Sequence, residues 1–263
     1  MVFANPLFTA YVLALAGLCG LVMGSFINCW AWRLVHGESI VRGRSHCTSC
    51  GHELAVCDLV PVFSWLVSRG KCRYCGERVS ERYPISEVVC SLAFIAIVAR
   101  FGITLEALQM LAFAGILLFL SLTDLDDRII PNGCIVAAFA VRLLYLFASW
   151  AIEGIDIGAA LVESLVGALV LGGGVLAVSL AADRVLGRES MGGGDVKLLA
   201  AAGFYFGWQQ GLLLLIIACL FGLVAGAVRR ERVIPFGPSI AAACLVTMFA
   251  GAPVITWYAS LLL

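Results

Sequence analysis

The sequence predicts an all-α polytopic integral membrane protein with about eight transmembrane helices and one small cytoplasmic tetracysteine insert. The composition carries much of this prediction, because the 263 residues are 62% hydrophobic and only 13% charged. A soluble domain is nearer to about half apolar and a quarter charged. The mean hydropathy of +1.03 agrees. The third observation is the pattern, in which long apolar segments recur and four cysteines stand in two pairs within the one long polar stretch.

The apolar segments account for the predicted helices one by one. A transmembrane helix needs about 20 residues, and all segments but one have that length. The exception begins near Val196. Its helix either includes residues of the glycine-rich loop or Trp208-Gln209 and spans the membrane, or it is partly re-entrant. The first segment is long enough to span and has no preceding basic residue, so we expect a helix rather than a signal peptide. The segments cover residues 8–32, 84–101, 103–123, 129–150, 157–181, 196–208, 209–228 and 236–261.

The basic residues predict the orientation in the membrane. With eight spans, all 17 Lys and Arg except Arg100 and Arg142 fall on one side, and positive charge marks the cytoplasmic side. Both chain ends are then predicted to be non-cytoplasmic. A seven-span arrangement would place the group from Arg229 to Arg232 opposite the other clusters, so the charge bias favours eight. The formal net charge of zero argues against nucleic acid as a partner.

The polar insert covers residues 33–83, between the first span (1–32) and a membrane domain (84–263). It contains the pattern C-x2-C, 21 residues, C-x2-C, formed by Cys47, Cys50, Cys72 and Cys75. Four thiolates in two such turns are typical of a structural, tetrahedral Zn²⁺ site, although free or disulfide-bonded cysteines are the alternative. Gly51 and Gly76 follow the second cysteine of each pair, where the chain turns sharply. The neighbours His46, His52 and Cys57 are alternative ligands.

Two aspartates are the candidate catalytic residues, because each lies where an apolar segment meets a polar stretch. Asp124 follows the apolar run from Leu111, and Asp195 follows three glycines. An acid at the end of a membrane helix is costly and suggests a function. Two carboxyl groups at one membrane surface can share a proton and activate water. The plainer alternatives are a solvated acidic loop, which we prefer for Asp126 and Asp127, and a helix N-cap for Asp195.

Three further charged residues lie inside predicted spans and have no assigned role. Arg142 and Glu163 are costly at a helix centre, so each is expected to face the bundle interior, where the two can pair. Glu87 lies just inside the second span, next to the insert, where it can line a pocket.

These motifs together closely resemble the type IV prepilin peptidases, which are bifunctional leader peptidase/N-methyltransferases of the GxGD aspartic protease class. The resemblance covers nearly the whole chain. It includes Gly24-Ser25-Phe26-Ile27-Asn28 with Arg33, the two Cys pairs, Ser80-Glu81-Arg82-Tyr83-Pro84 with Glu87, Asp124 with Ile130-Pro131-Asn132, Gly192-Gly193-Gly194-Asp195-Val196-Lys197, and Ile234-Pro235-Phe236-Gly237-Pro238.

The resemblance implies a function, a location and partners. Asp124 and Asp195 map onto the two catalytic aspartates of the family, and the four cysteines onto the insert of its long forms. Members cut the short basic leader from prepilins or pseudopilins at the cytoplasmic face of the bacterial inner membrane. The long forms then methylate the new N-terminus with S-adenosylmethionine. Substrate and lipid bilayer are the implied partners. The alternatives are a GxGD membrane protease with another substrate, a transporter that uses the two aspartates, and a non-catalytic scaffold.

Overall fold

The computed structural model describes residues 5–229 and 234–262. Within these ranges every regular element is helical, and the extended structure is limited to two isolated β-bridges in the insert. The chain divides into two compact units, Met1–Thr123 and Asp124–Leu263. The predicted all-α membrane class is confirmed. The predicted division at residues 33–83 and 84–263 stays a prediction.

The N-terminal unit pairs two long helices through glycines. Helix α1 (Pro6–Val35) packs on α3 (Arg82–Phe101), and a Cβ atom on Gly20 would lie only 2.6 Å from the Cα of Ser91. The Ser91 hydroxyl donates to the carbonyl of Gly17 over 2.9 Å. Small residues that let two backbones approach this closely are typical of helix pairs in membranes. Between them the insert contains a 3₁₀ turn (Val56–Leu59) and a short helix α2 (Phe63–Val67).

The remaining helices begin with α4, which runs from Leu105 to Asp127 and carries Asp124 into the C-terminal unit. Asp126 and Asp127 therefore lie in its last turn and not in a loop, although both are exposed as predicted. The C-terminal unit continues with α5 (Asn132–Glu153), α6 (Ile157–Ala168), a π-helical turn (Leu169–Gly173), α7 (Gly174–Leu186), α8 (Gly193–Arg229) and α9 (Gly237–Leu262).

Seven helices in the described chain are long and apolar enough to cross a membrane, where about eight were predicted. The difference lies in α8, which contains both predicted segments 196–208 and 209–228 and is broken at Gly207. There φ is +71° and ψ is 180°, a conformation open essentially to glycine alone. The basic group predicted after this helix begins at Arg229, and Arg230 to Arg232 lie outside the described residues.

Close glycine packing holds the first part of α8 against α6. A Cβ atom on Gly167 of α6 would lie 2.1 Å from the carbonyl oxygen of Gly203, and one on Gly203 would lie 2.3 Å from the carbonyl oxygen of Gly167. Neither position therefore accepts a side chain without moving a backbone. This contact fixes the first part of α8, which carries Asp195.

Candidate active site and metal centre

Asp124 is fixed by the start of another helix. It lies one turn before the end of α4, and its residue surface is only 5% exposed. Its Oδ2 accepts a hydrogen bond of 2.8 Å from the amide of Gly237, the first residue of α9. The amides of a first helical turn have no partner within the helix, so they are well placed to hold a carboxylate. A Cβ atom on residue 237 would lie 2.7 Å from the same oxygen.

Asp195 lies in the first turn of α8, after the run Gly192-Gly193-Gly194. It is the third helical residue and not the N-cap, since the helix begins at Gly193. Its Oδ1 is buried and accepts no hydrogen bond in the described protein. A buried carboxyl oxygen without a partner is costly, so this atom is available to a group that enters from outside.

The two carboxyl groups line one cavity of about 810 Å³. They lie close enough to interact electrostatically, so the structure brings both candidate residues together. Arg128 and Glu189 also line the cavity, and most of the remaining wall is apolar. The apolar wall residues are Val170, Val175, Val178, Met191, Leu212, Leu215, Cys219, Ile234, Pro235 and Phe236.

A loop that none of the sequence motifs singled out forms one side of this cavity. It runs from the left-handed Gly187 at the end of α7 to Gly192. The amide of Ser190 donates to Oδ1 of Asp183 over 2.6 Å, and the hydroxyls of Ser190 and Ser179 lie 3.1 Å apart. These contacts tie the loop to α7. Its polar composition directly before the glycine run was the available signal.

The four candidate metal ligands also come together. The Sγ atoms of Cys47, Cys50, Cys72 and Cys75 all lie within 4.8 Å of one another, and those of Cys47 and Cys75 are 3.9 Å apart. A tetrahedral zinc site with Zn–S bonds of about 2.3 Å requires sulfur separations of about 3.8 Å. The group is therefore of a size that fits a tetrahedral metal ion.

Two matching backbone turns hold the four sulfurs. The amide of Cys47 donates to the carbonyl of His52 over 2.9 Å, and that of Cys72 donates to Glu77 over 2.8 Å. The predicted sharp turns are present, because φ is +71° at Gly51 and +75° at Gly76. Backbone amides directed at the Cys47 sulfur, that of Cys50 above all, lower the pKa of this thiol to about 6. An acidic thiol favours metal binding, since the thiolate is the ligand.

The proposed alternative ligands have other contacts. The ring of His46 lies 3.7 Å from Glu38, and the ring of His52 packs on Tyr74 at 3.7 Å between centroids. The Sγ of Cys57 accepts a hydrogen bond of 3.3 Å from Arg73. Among the described residues, the group that could hold a metal ion therefore consists of the four cysteines.

The charged residues without an assigned role have structural contacts. Glu87 is buried, and its Oε2 accepts a 2.7 Å hydrogen bond from the amide of Val62 in the insert. Arg142 donates to the hydroxyl of Ser164 over 3.4 Å, and its guanidinium lies 5.8 Å from the ring centre of Tyr205. Glu163 lies against the break in α8, with its Oε1 3.1 Å from the Cβ position of Gly207.

Comparisons with known proteins match both units. Residues 18–101 match the family described as the bacterial peptidase A24 N-terminal domain, and residues 111–227 match the type IV leader peptidase family. The first range includes all four cysteines, and the second includes both aspartates. No solved structure matches significantly.

The curated relatives cover almost the whole chain. A prepilin leader peptidase/N-methyltransferase of Pseudomonas putida is 32% identical over 92% of both proteins. One of Bacillus subtilis is 30% identical over 94% of this chain and 98% of its own length. One of Myxococcus xanthus is 36% identical over 84% of this chain and 63% of its own length. This chain therefore belongs to the type IV leader peptidase family, as the resemblance of its motifs predicted.

Proposed function

We propose that this protein is a prepilin leader peptidase that also N-methylates the new N-terminus of its product. One observation carries the peptidase proposal: Asp124 and Asp195, from two separate helices, line the same cavity. The names of the relatives support both activities. The two matched regions contain the four cysteines and the two aspartates.

The proposed chemistry is acid–base hydrolysis without a covalent intermediate. One carboxyl group of the pair is ionised and takes a proton from a water molecule. The other is protonated and donates a hydrogen bond to the scissile carbonyl oxygen. The water oxygen bonds to the carbonyl carbon, the carbon–nitrogen bond breaks, and the proton passes to the leaving amine. A pair of acids that cannot both ionise supplies this combination at neutral pH.

The form of the cavity supports a peptide substrate with a charged part and an apolar part. Its polar side carries three carboxyl groups, of Asp124, Glu189 and Asp195, and one guanidinium, of Arg128. Its larger remaining wall is apolar. A basic leader followed by an apolar helix has the complementary character. The location of the leader, and of the cavity opening, at the cytoplasmic face is proposed from the basic residues of the connecting loops.

We propose that the four cysteines hold a structural Zn²⁺ and that the insert of residues 33–83 serves the methyl transfer. Four sulfur ligands complete a tetrahedral site, so the ion would supply folding energy to the insert and no open position for a reactant. S-adenosylmethionine, which the family resemblance implies, would supply the methyl group. Pilins and secretion pseudopilins are both substrates compatible with the cavity.

Substitution of either aspartate tests the peptidase proposal. Asp124→Asn and Asp195→Asn should each abolish leader removal from a purified prepilin, because an amide cannot exchange a proton with water or the leaving amine. The measurement is the mobility of the product and its mass. Asp127→Asn is the matched control, since Asp127 is exposed in the same helical turn, and it should cleave normally.

The same preparations separate the two proposed activities. Both Asp→Asn variants should still transfer a labelled methyl group from S-adenosylmethionine to a pilin that has already lost its leader. Full processing by either variant would contradict the two-aspartate mechanism. If the wild-type protein cleaves the prepilin but does not methylate the product, the peptidase proposal stands and the methyltransferase proposal is wrong.

A further inference from the structure

The metal-binding insert exposes a continuous apolar segment. Residues 56–67, with the sequence Val-Cys-Asp-Leu-Val-Pro-Val-Phe-Ser-Trp-Leu-Val, comprise the 3₁₀ turn and α2, and neither of these short helices contains a buried residue. Val56 is 80% exposed, Phe63 64% and Val67 61%. Leu59, Val60 and Leu66 are exposed as well, so the exposed apolar positions recur every three or four residues. An exposed patch of this kind marks an interaction surface.

The polar side of this segment faces the rest of the insert. Asp58, its one charged residue, forms an ion pair of 3.3 Å with Arg73 and accepts a 3.0 Å hydrogen bond from Tyr74. The indole of Trp65 donates to the carbonyl of Val79 over 3.1 Å. The segment is thus attached to the second cysteine turn through its polar groups, and its apolar side chains point away from it.

A hydrogen bond sets the level of the segment along α3. The amide of Val62, in the middle of the segment, donates to Oε2 of Glu87 over 2.7 Å. Glu87 is the sixth residue of α3 and lies about 7.5 Å from the start of that helix, at a rise of about 1.5 Å per residue. A glutamate side chain in a helix reaches back towards the N-terminus, so Val62 lies level with the first two turns.

The exposed apolar face of α3, which suits contact with lipid, begins at the same level. Its exposed apolar residues are Ile85, Val88, Val89 and Leu92, which share one face of the helix. Ile85, the first of them, precedes Glu87 by two residues. The apolar side chains of the 56–67 segment therefore begin where the hydrocarbon-facing surface of the membrane helix begins.

We propose that the 56–67 segment lies in the membrane interface, with Val56, Phe63, Leu66 and Val67 inserted among the lipids of the leaflet at which α3 begins. The segment has 12 residues, which is too short to span but typical of an interfacial element. Its single charge is paired, and it is followed by the basic residues Arg69 and Lys71, which suit a headgroup layer. The insert is thereby attached to the membrane surface at its middle as well as at its two ends.

Photochemical labelling from the lipid side tests this surface. The full-length protein is reconstituted in nanodiscs that contain a phospholipid with a diazirine in its acyl chain, irradiated, digested and analysed by mass spectrometry. Adducts are expected on the peptide that contains residues 56–67 and on the peptide that contains Ile85 to Leu92, which is the positive control. The first cysteine turn, residues 44–53, should have none. The proposal would be overturned if the adduct yield on residues 56–67 were as low as that on residues 44–53.

A double substitution sharpens the test. Phe63→Asp with Leu66→Asp should lower the adduct yield at this segment by about tenfold or more, because a carboxylate is expelled from hydrocarbon. Val41→Asp is the matched control, since Val41 is 93% exposed in the same insert but lies outside the segment. Retained metal content verifies that the variants fold; if the double variant loses its metal, the wild-type adduct map decides. A parallel sample is treated with a bifunctional protein cross-linker. Cross-links from this segment to a second copy of the chain, without lipid adducts, would contradict the proposal and assign the surface to self-association.

Discussion

The metal centre and the carboxyl pair are built in opposite ways. The four cysteines lie within 29 residues (47–75) and are placed by two repeated backbone turns, so their geometry is nearly local. The two aspartates are 71 residues apart, and Asp124 is held by an amide that lies a further 42 residues along the chain. The local sulfur group would depend on the ion that we propose it holds, whereas the assembled carboxyl pair depends on the packing of distant helices. Perturbations should therefore act on them differently.

Removal of a metal ligand should produce the largest effect, and it should be confined to the insert. We expect Cys72→Ser to release the metal and to unfold residues 44–79, because binding of a structural zinc contributes about 10 kcal/mol or more to the folding of a small domain. The measurements are metal content and hydrogen exchange by mass spectrometry. Amide protection in residues 124–229 should be unchanged.

The matched control for this experiment is Cys57→Ser. Cys57 is an exposed thiol of the same insert that lies outside the sulfur group, so its substitution should retain the metal. If the amides of the insert stayed protected from exchange after the metal was lost, its packing contacts alone would keep it folded. The cysteine group would then not depend on a metal ion, and the proposed difference from the carboxyl pair would not hold.

A smaller effect is expected when the assembled site is disturbed from a distance. Gly237→Ala would bring a methyl group to 2.7 Å from Oδ2 of Asp124 and displace the carboxylate from its amide donor. A displacement of this kind costs on the order of 100-fold in rate, so kcat/KM for leader cleavage should fall by about that factor. Metal content should not change.

Gly133→Ala is the control for a glycine at a helix start. Gly133 is the second residue of α5, and a Cβ atom there has no neighbour within 4 Å. Cleavage by this variant should be normal. Normal cleavage by Gly237→Ala as well would show that the Gly237 contact does not position the catalytic group.

The same contrast explains what could be predicted from the sequence. The cysteine spacing contains nearly all the information that fixes the sulfur group, because each turn is determined by a C-x2-C-Gly unit. The helices were predicted from long apolar runs, and most of their bounds agree within a few residues. Both aspartates stood out because carboxylates at the ends of apolar runs are rare.

Other features depend on contacts that a sequence does not display. The two segments predicted to meet between residues 208 and 209 are two helical parts of α8 that meet at one non-helical residue, Gly207, and the sequence did not show that no loop lies between them. The bond between Glu87 and Val62 joins residues 25 positions apart and had no local signature. The cavity wall combines the end of α4, α7, α8 and the chain before α9, so the sequence could mark the loop with Glu189 as polar but could not show which elements it faces.

The smallest and most selective effects should come from the glycine run before Asp195. The structure gives each glycine a different environment. A Cβ atom on Gly194 would lie 2.8 Å from Cβ of Ile130, one on Gly192 would lie 3.2 Å from Oδ2 of Asp195, and one on Gly193 would meet nothing within 4 Å. Of the three, Gly192 lines the cavity.

Alanine at each position should therefore give three different results. Gly194→Ala should lower the thermal stability, since overpacking of this kind costs about 1–3 kcal/mol. Gly192→Ala should leave stability unchanged and lower kcat/KM by about tenfold, because the methyl group crowds the carboxylate and the cavity. Gly193→Ala should be close to wild type in both measurements. Equal loss of cleavage in all three variants, without loss of stability, would instead mean that the substrate backbone lies along the entire glycine run. The glycines would then be required for close approach of the substrate and not for packing against neighbouring residues.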